Sequence, residues 1–267
     1  YQAYGAERRN GYRALPAGRG GIYDRSGQAF ALSVARPNVV ADPTAVRHPI
    51  RTARELAPIL KVDVDELAAK LADKTTHYAV LAPLVSDTAA REVRELELAG
   101  ISLEDQFVRQ NPSGGLARAV VGSAYADGTR GADGGQGRTG VERAYERQLE
   151  GTPGRLTFEK DRWGNTIAGT PAKLDAAKPG TDLYLTLDQS LQYATEDALT
   201  DQVEATGAKQ GMAIITRPST GEVLAMASVA TDDEGRVHNT GDNRPVSTVF
   251  EPGSVNKMIT VPGAMEA

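Results

Sequence analysis

Apolar and polar positions recur with two different periods along this 267-residue chain, and the changes of period mark its elements. "GGIYDRSGQAFALSVARPNVVADP" carries two β-rich runs around Asp24-Arg25-Ser26-Gly27, which predicts a hairpin with Gly27 at positive φ. From Arg51 to Leu98 the apolar residues fall at three- and four-residue steps. "RTARELAPIL", "DVDELAAKLAD" and "SDTAAREVRELELAG" therefore read as helices, with Asp63 and Ser86 or Asp87 as N-caps and Gly100 closing the third. Glycine dominates residues 111–140, and "DGTRGADGGQGRTG" predicts a surface loop before a short helix over "VERAYERQLEG".

Beyond Lys178-Pro179-Gly180 the pattern sharpens. "DLYLTLD" alternates as a strand, and "QSLQYATEDALTDQVEATG" places Leu191, Ala194, Ala198, Leu199 and Val203 along one helical stripe. "GMAIITR" and "EVLAMAS" then form a hairpin around Pro218-Ser219-Thr220-Gly221. The expected class is α+β. The Pro-Gly divides it into residues 1–178 and 179–267, each long enough to bury a core.

Composition mainly excludes. With 30 basic and 35 acidic residues the formal charge is -5, which argues against nucleic acid as a partner. No stretch approaches the roughly 18 apolar residues of a membrane span, and the opening "YQAYGAERRNGYR" has no signal-peptide core. Any anchor or export signal is expected either outside these residues or not at all. The absence of cysteine removes disulfide and thiolate chemistry, and His48, His77 and His238 stand apart from one another, so neither metal nor cofactor is expected. Gly135 to Gly140 fits G-x-G-x-x-G but lacks the strand that a dinucleotide site requires before it. Arg8, Arg9, Arg13 and Arg19 read as a solvated basic start or as a segment beside an anionic membrane, and Trp163 as partly packed.

One stretch carries chemistry. In "FEPGSVNKMIT" Ser254 and Lys257 have S-x-x-K spacing, which on a helix puts both on one face, so that the amine can take the hydroxyl proton. A helix start there also offers free N–H groups to an oxyanion. Composition alone gives about 0.3 chance matches of this kind, so the preceding Pro252-Gly253 corner matters. The alternative is that Ser254 is only an N-cap and Lys257 a solvated first-turn residue. Pro262-Gly263 predicts a kink or an early end to that helix.

Five segments, in order, resemble the class B penicillin-binding proteins: "RGGIYDRSG", "GRTGVERAYERQLEGTPG", "DLYLTLDQSLQ", "PSTGEVLAMAS" and "NRPVSTVFEPGSVNK". The last is most similar to the cell-division transpeptidases of actinobacteria. The resemblance implies an elongated N-terminal pedestal over 1–178 and the first part of a penicillin-binding transpeptidase domain over 179–267: strand, helix, β-hairpin and the start of the nucleophile helix. It implies a membrane-anchored protein acting on the extracytoplasmic side in cell-wall synthesis, a D,D-transpeptidase working on the D-Ala-D-Ala end of peptidoglycan stem peptides. Ser254 is then the nucleophile and, through its backbone N–H, an oxyanion donor; Lys257 is the general base; β-lactams acylate the same serine. The family's S-x-N and K-T-G or K-S-G motifs follow S-x-x-K, and neither occurs in that role within these residues. These 267 residues are therefore expected to be inactive by themselves. A scaffolding role of the pedestal toward a membrane glycosyltransferase and division proteins is the competing expectation.

Overall fold

The structure, a computed structural model, describes residues 10–125, 136–159 and 173–266. Arg8, Arg9, Gly135, Trp163 and most of the glycine loop at 127–140 lie outside the described residues. Among the described residues, strands and helices alternate in an α+β arrangement of four small sheets.

Strand β1 (Asn10–Leu15) pairs antiparallel with β8 (Gly154–Glu159), and β8 with β9 (Lys173–Asp175). The predicted hairpin is present. Strand β2 (Ile22–Tyr23) turns through Gly27, at φ +89°, into β3 (Ala29–Ala35). The sheet is completed by β7 (Phe107–Gln110) against β3 and by β10 (Leu183–Tyr184), which lies parallel to β2. Of "DLYLTLD" only those two residues are strand, because the chain at once leaves the ladder to start the next helix.

Residues 38–104 form a unit with its own core. Strand β4 (Asn38–Ala41) is flanked by β5 (Ala79–Ala82) and β6 (Ile101–Glu104), neither of which the helical spacing of this region announced. The predicted helices are Pro49–Leu60, Val64–Ala72 and Asp87–Glu95; Leu56, Leu67 and Leu71 are fully buried between them and Val39, Leu81 and Val93. The Asp63 carboxylate accepts from Asp65 and Glu66 N–H, and the Ser86 hydroxyl from Ala89 N–H, so Ser86 rather than Asp87 is the cap. Gly100 does not end the third helix. The helix stops at Glu95, Glu97 takes φ +45° just after it, and Gly100, at φ +81°, instead leads into β6 against the Asp42 backbone.

A second core joins Ile22, Phe30, Ala31, Ala117, Val121 and Leu149 to Leu187, with Leu183, Leu185 and Val223 packed on it. It therefore draws on residues on both sides of position 178. The glycine-rich region contributes to this core ahead of the expected surface loop: Arg118–Val121 is a short helix, with Ala117, Ala119 and Val121 buried. Around it the backbones approach closely. Gly20 N–H donates to the Leu149 carbonyl and Gly180 N–H to Gly18, and a Cβ on Gly180 would collide with Leu149.

Helix Gln189–Thr206 lies on the antiparallel sheet β11 (Gln210–Thr216), β12 (Val223–Thr231) and β13 (Val237–Asn239), with Gly221 at φ +76° in the predicted turn. The predicted apolar stripe holds at Val203 and in part at Leu191 and Leu199, but it is not the whole buried face. The residues that helix buries are Gln192, Glu196 and Val203, while Ala194 and Ala198 face outward. Gln192 brackets Met226, donating from Nε2 to its carbonyl and accepting its N–H, so a polar side chain replaces a strand partner.

Candidate active site

The S-x-x-K residues sit at a corner. Gly253, at φ +55°, opens a single 3-10 turn over Gly253–Asn256, and the chain passes directly into helix Lys257–Glu266. The Lys257 N–H donates to the Ser254 and Val255 carbonyls, so the two residues are tied through the backbone. Their side chains are not: neither Ser254 Oγ nor Lys257 Nζ has a hydrogen-bond partner among the described residues, and both are exposed. Ser254 does not cap the helix; the turn has Pro252 at its N-cap position and no side-chain cap. Nor does Pro262 end it, since the helix runs through to Glu266.

The face around this corner is apolar and open. Val249 is 97% exposed, and Phe250, Val255, Met258, Ile259, Val261 and Met265 are exposed with it. The groups offered here are thus a hydroxyl and an amine one turn apart, without the enclosure that strengthens electrostatic interactions.

The groups that lead back from this corner were not singled out as a site by the sequence. Glu196 is buried and accepts from Ala117 N–H at 2.8 Å, from Gln192 Nε2 at 2.7 Å and from Asn239 Nδ2. It links the loop at 111–117 to the helix and sheet that precede the Ser254 corner. Asp24 acts similarly. One oxygen accepts from Ser26 N–H, Ser26 Oγ and Gln28 N–H, and the other from Gln189 N–H at the start of the long helix. Burial works to raise its pKa, but the hydrogen bonds from Ser26, Gln28 and Gln189 outweigh it and hold the carboxyl below its ordinary value. The D-x-S-G wording could have announced the turn; nothing local announces the contact with Gln189.

Arg19 corrects the expectation of a solvated basic start. Its side chain is fully buried, donating from Nε to Glu142 at 2.7 Å and from Nη2 to Glu146 at 2.6 Å. Arg13, by contrast, lies exposed in β1. Glu142 also receives Arg109 Nε at 2.8 Å, so one buried carboxylate serves two guanidinium groups. Burial disfavours the charge on both arginines. For Arg19 the bonds to Glu146 and Glu142 prevail and raise its pKa, whereas for Arg109 burial prevails and lowers it. No group of three or more His, Asp and Glu residues suited to a metal occurs among the described residues.

Comparison with known proteins agrees with this layout. Residues 14–185 match the penicillin-binding protein dimerisation domain, and residues 211–267 the penicillin-binding protein transpeptidase domain. The chain is 32% identical to the penicillin-binding protein PbpB of Mycobacterium tuberculosis, covering 94% of this chain and 39% of that protein. It is 31% identical to the peptidoglycan D,D-transpeptidase FtsI of Escherichia coli, covering 93% of this chain and 42% of that protein. A crystal structure of a peptidoglycan synthetase from Bifidobacterium adolescentis superposes with a TM-score of 0.68 at 27% identity, covering 96% of this chain and 51% of the other. The chain thus spans less than half the length of these curated relatives.

Proposed function

The chain belongs to the class B penicillin-binding proteins, which join a dimerisation domain to a transpeptidase domain, and on that premise we propose that it is part of a peptidoglycan D,D-transpeptidase with Ser254 as nucleophile. The observation that supports this reading is the corner at Gly253, where Ser254 and Lys257 stand three residues apart on one turn within the matched transpeptidase segment. Lys257 takes the Ser254 proton as Oγ bonds to the penultimate D-Ala carbonyl carbon. The C–N bond to the last D-Ala breaks, and that proton leaves with its amine. The amine of a neighbouring stem peptide then attacks the ester, forming the crosslink and restoring Ser254. The Ser254 N–H is placed in the same turn to serve as an oxyanion donor. β-Lactams acylate the same oxygen. Residues 1–178 form the pedestal and 179–267 the catalytic portion, on the extracytoplasmic side of a membrane to which an upstream segment anchors the protein.

The Ser254 and Lys257 side chains are exposed and do not meet among the described residues, so residues 1–267 alone are expected to remain unmodified by a β-lactam in an intact-mass measurement. A chain extended with the family's S-x-N and K-T-G or K-S-G motifs is expected to gain one β-lactam mass, lost in Ser254→Ala. If the extended chain stays unlabelled, or is labelled elsewhere, Ser254 is not the nucleophile. A second reading, scaffolding for a membrane glycosyltransferase and division proteins, draws support from the separate core of residues 38–104.

A further inference from the structure

A cavity of about 370 Å³ opens between β7, the loop at 111–117 and the turn at 122–124, away from Ser254. Among the described residues its lining is one-sided in charge: Arg109 and Arg118 contribute, with Asn111 and Ser123, and no Asp or Glu. The neighbouring cavity of about 300 Å³ across the same loop is the opposite, lined by Glu196 and Asp197.

The basic groups are held in place but incompletely used. Arg109 donates from Nε to Glu142 and from Nη1 to the Gly20 carbonyl at 2.8 Å, which fixes the guanidinium, while its buried Nη2 has no partner among the described residues. Arg118 and the Asn111 side-chain amide form no hydrogen bond or ion pair among the described residues. Arg19 and Arg109 are balanced by Glu142 and Glu146, so among the described residues Arg118 is the uncompensated charge at this cavity. Its backbone is set by Ala117, which takes φ +54° and is pinned by its N–H bond to Glu196. One guanidinium held in place with an unpaired nitrogen, beside a second that is free to turn toward a ligand, is an arrangement that binds carboxylates and phosphates. The volume is enough for such a group together with part of the molecule that carries it.

We infer that this cavity binds a small oxyanion, a carboxylate or a phosphate, held chiefly by Arg118 with Arg109 and Asn111 as further donors. The inference does not depend on the role of Ser254. It is tested by titrating the 267-residue chain with inorganic phosphate and, separately, with acetate, at ionic strength held constant with chloride, while following backbone amide resonances. Saturating shifts confined to residues 109–124 are expected with at least one of the two, and the tighter one names the class of ligand. Arg118→Ala removes an exposed, unpartnered side chain and is expected to leave the unliganded fold intact while weakening binding about tenfold or more. Shifts that grow without saturation, a matching response to chloride, or equal binding by Arg118→Ala would overturn the site.

Discussion

Asp24 shows how much a single side chain organises here. Its two oxygens hold the hairpin turn through Ser26 and Gln28, and the start of helix Gln189–Thr206 through Gln189. Its folded pKa lies below the ordinary 3.8. In acid the unfolded chain therefore takes up this proton first, and stability falls as pH drops from near the ordinary value through the lower folded one. Asp24→Asn is expected to cost about 1–3 kcal/mol at neutral pH, since a neutral amide replaces an ionised acceptor. Urea unfolding at pH 7 and in acid should also show a shallower acid loss than in the parent chain. An unchanged acid limb would mean that Asp24 does not supply it. The turn itself was legible, because Asp, Ser and Gly are residues a tight turn requires. Its second contact was not, since Gln189 is remote in sequence.

At the scale of elements, helices with strong periodicity and side-chain caps appeared where their spacing placed them, and short strands did not. Leu56, Leu67 and Leu71 recur at helical steps and are fully buried, so pattern and packing agree. Strands β5 and β6 are four residues each and acquire meaning only when β4 lies between them. Leu67→Ala is expected to destabilise the unit of residues 38–104 by about 2–5 kcal/mol through the cavity it leaves. Because this core is separate from that around Phe30, amide hydrogen exchange should accelerate in Pro49–Leu60 and Val64–Ala72 and hold steady in β2 and β3. Equal acceleration in both regions would show one cooperative core instead of two. The helix Gln189–Thr206 is the opposite lesson, since its buried Gln192 and Glu196 are residues that a hydrophobicity pattern assigns to water.

Over the whole molecule, the two halves named by the Pro-Gly at 179–180 are stitched together by Glu196, Asp24, the β2–β10 pairing and a shared apolar core. Glu196→Ala would strand the Ala117 N–H and the Asn239 amide in the interior, each an unsatisfied polar group. A loss of about 2–4 kcal/mol is expected, read by thermal or urea unfolding, with faster exchange in helix Gln189–Thr206 and in β12. No change in either would mean that Glu196 does not help to join the halves.

The sequence by itself determined the α+β class, the hairpin turns at Gly27 and Gly221, the capped helices and the S-x-x-K spacing at Ser254, since each depends on residues within about one turn of one another. The tertiary structure alone decided that Arg19 is buried between Glu142 and Glu146, that Glu196 receives Ala117 across the junction, and that Ser254 and Lys257 stand exposed and unpaired. Burial and pairing of charge are set by what folds over a residue from far along the chain, and local period carries no record of that.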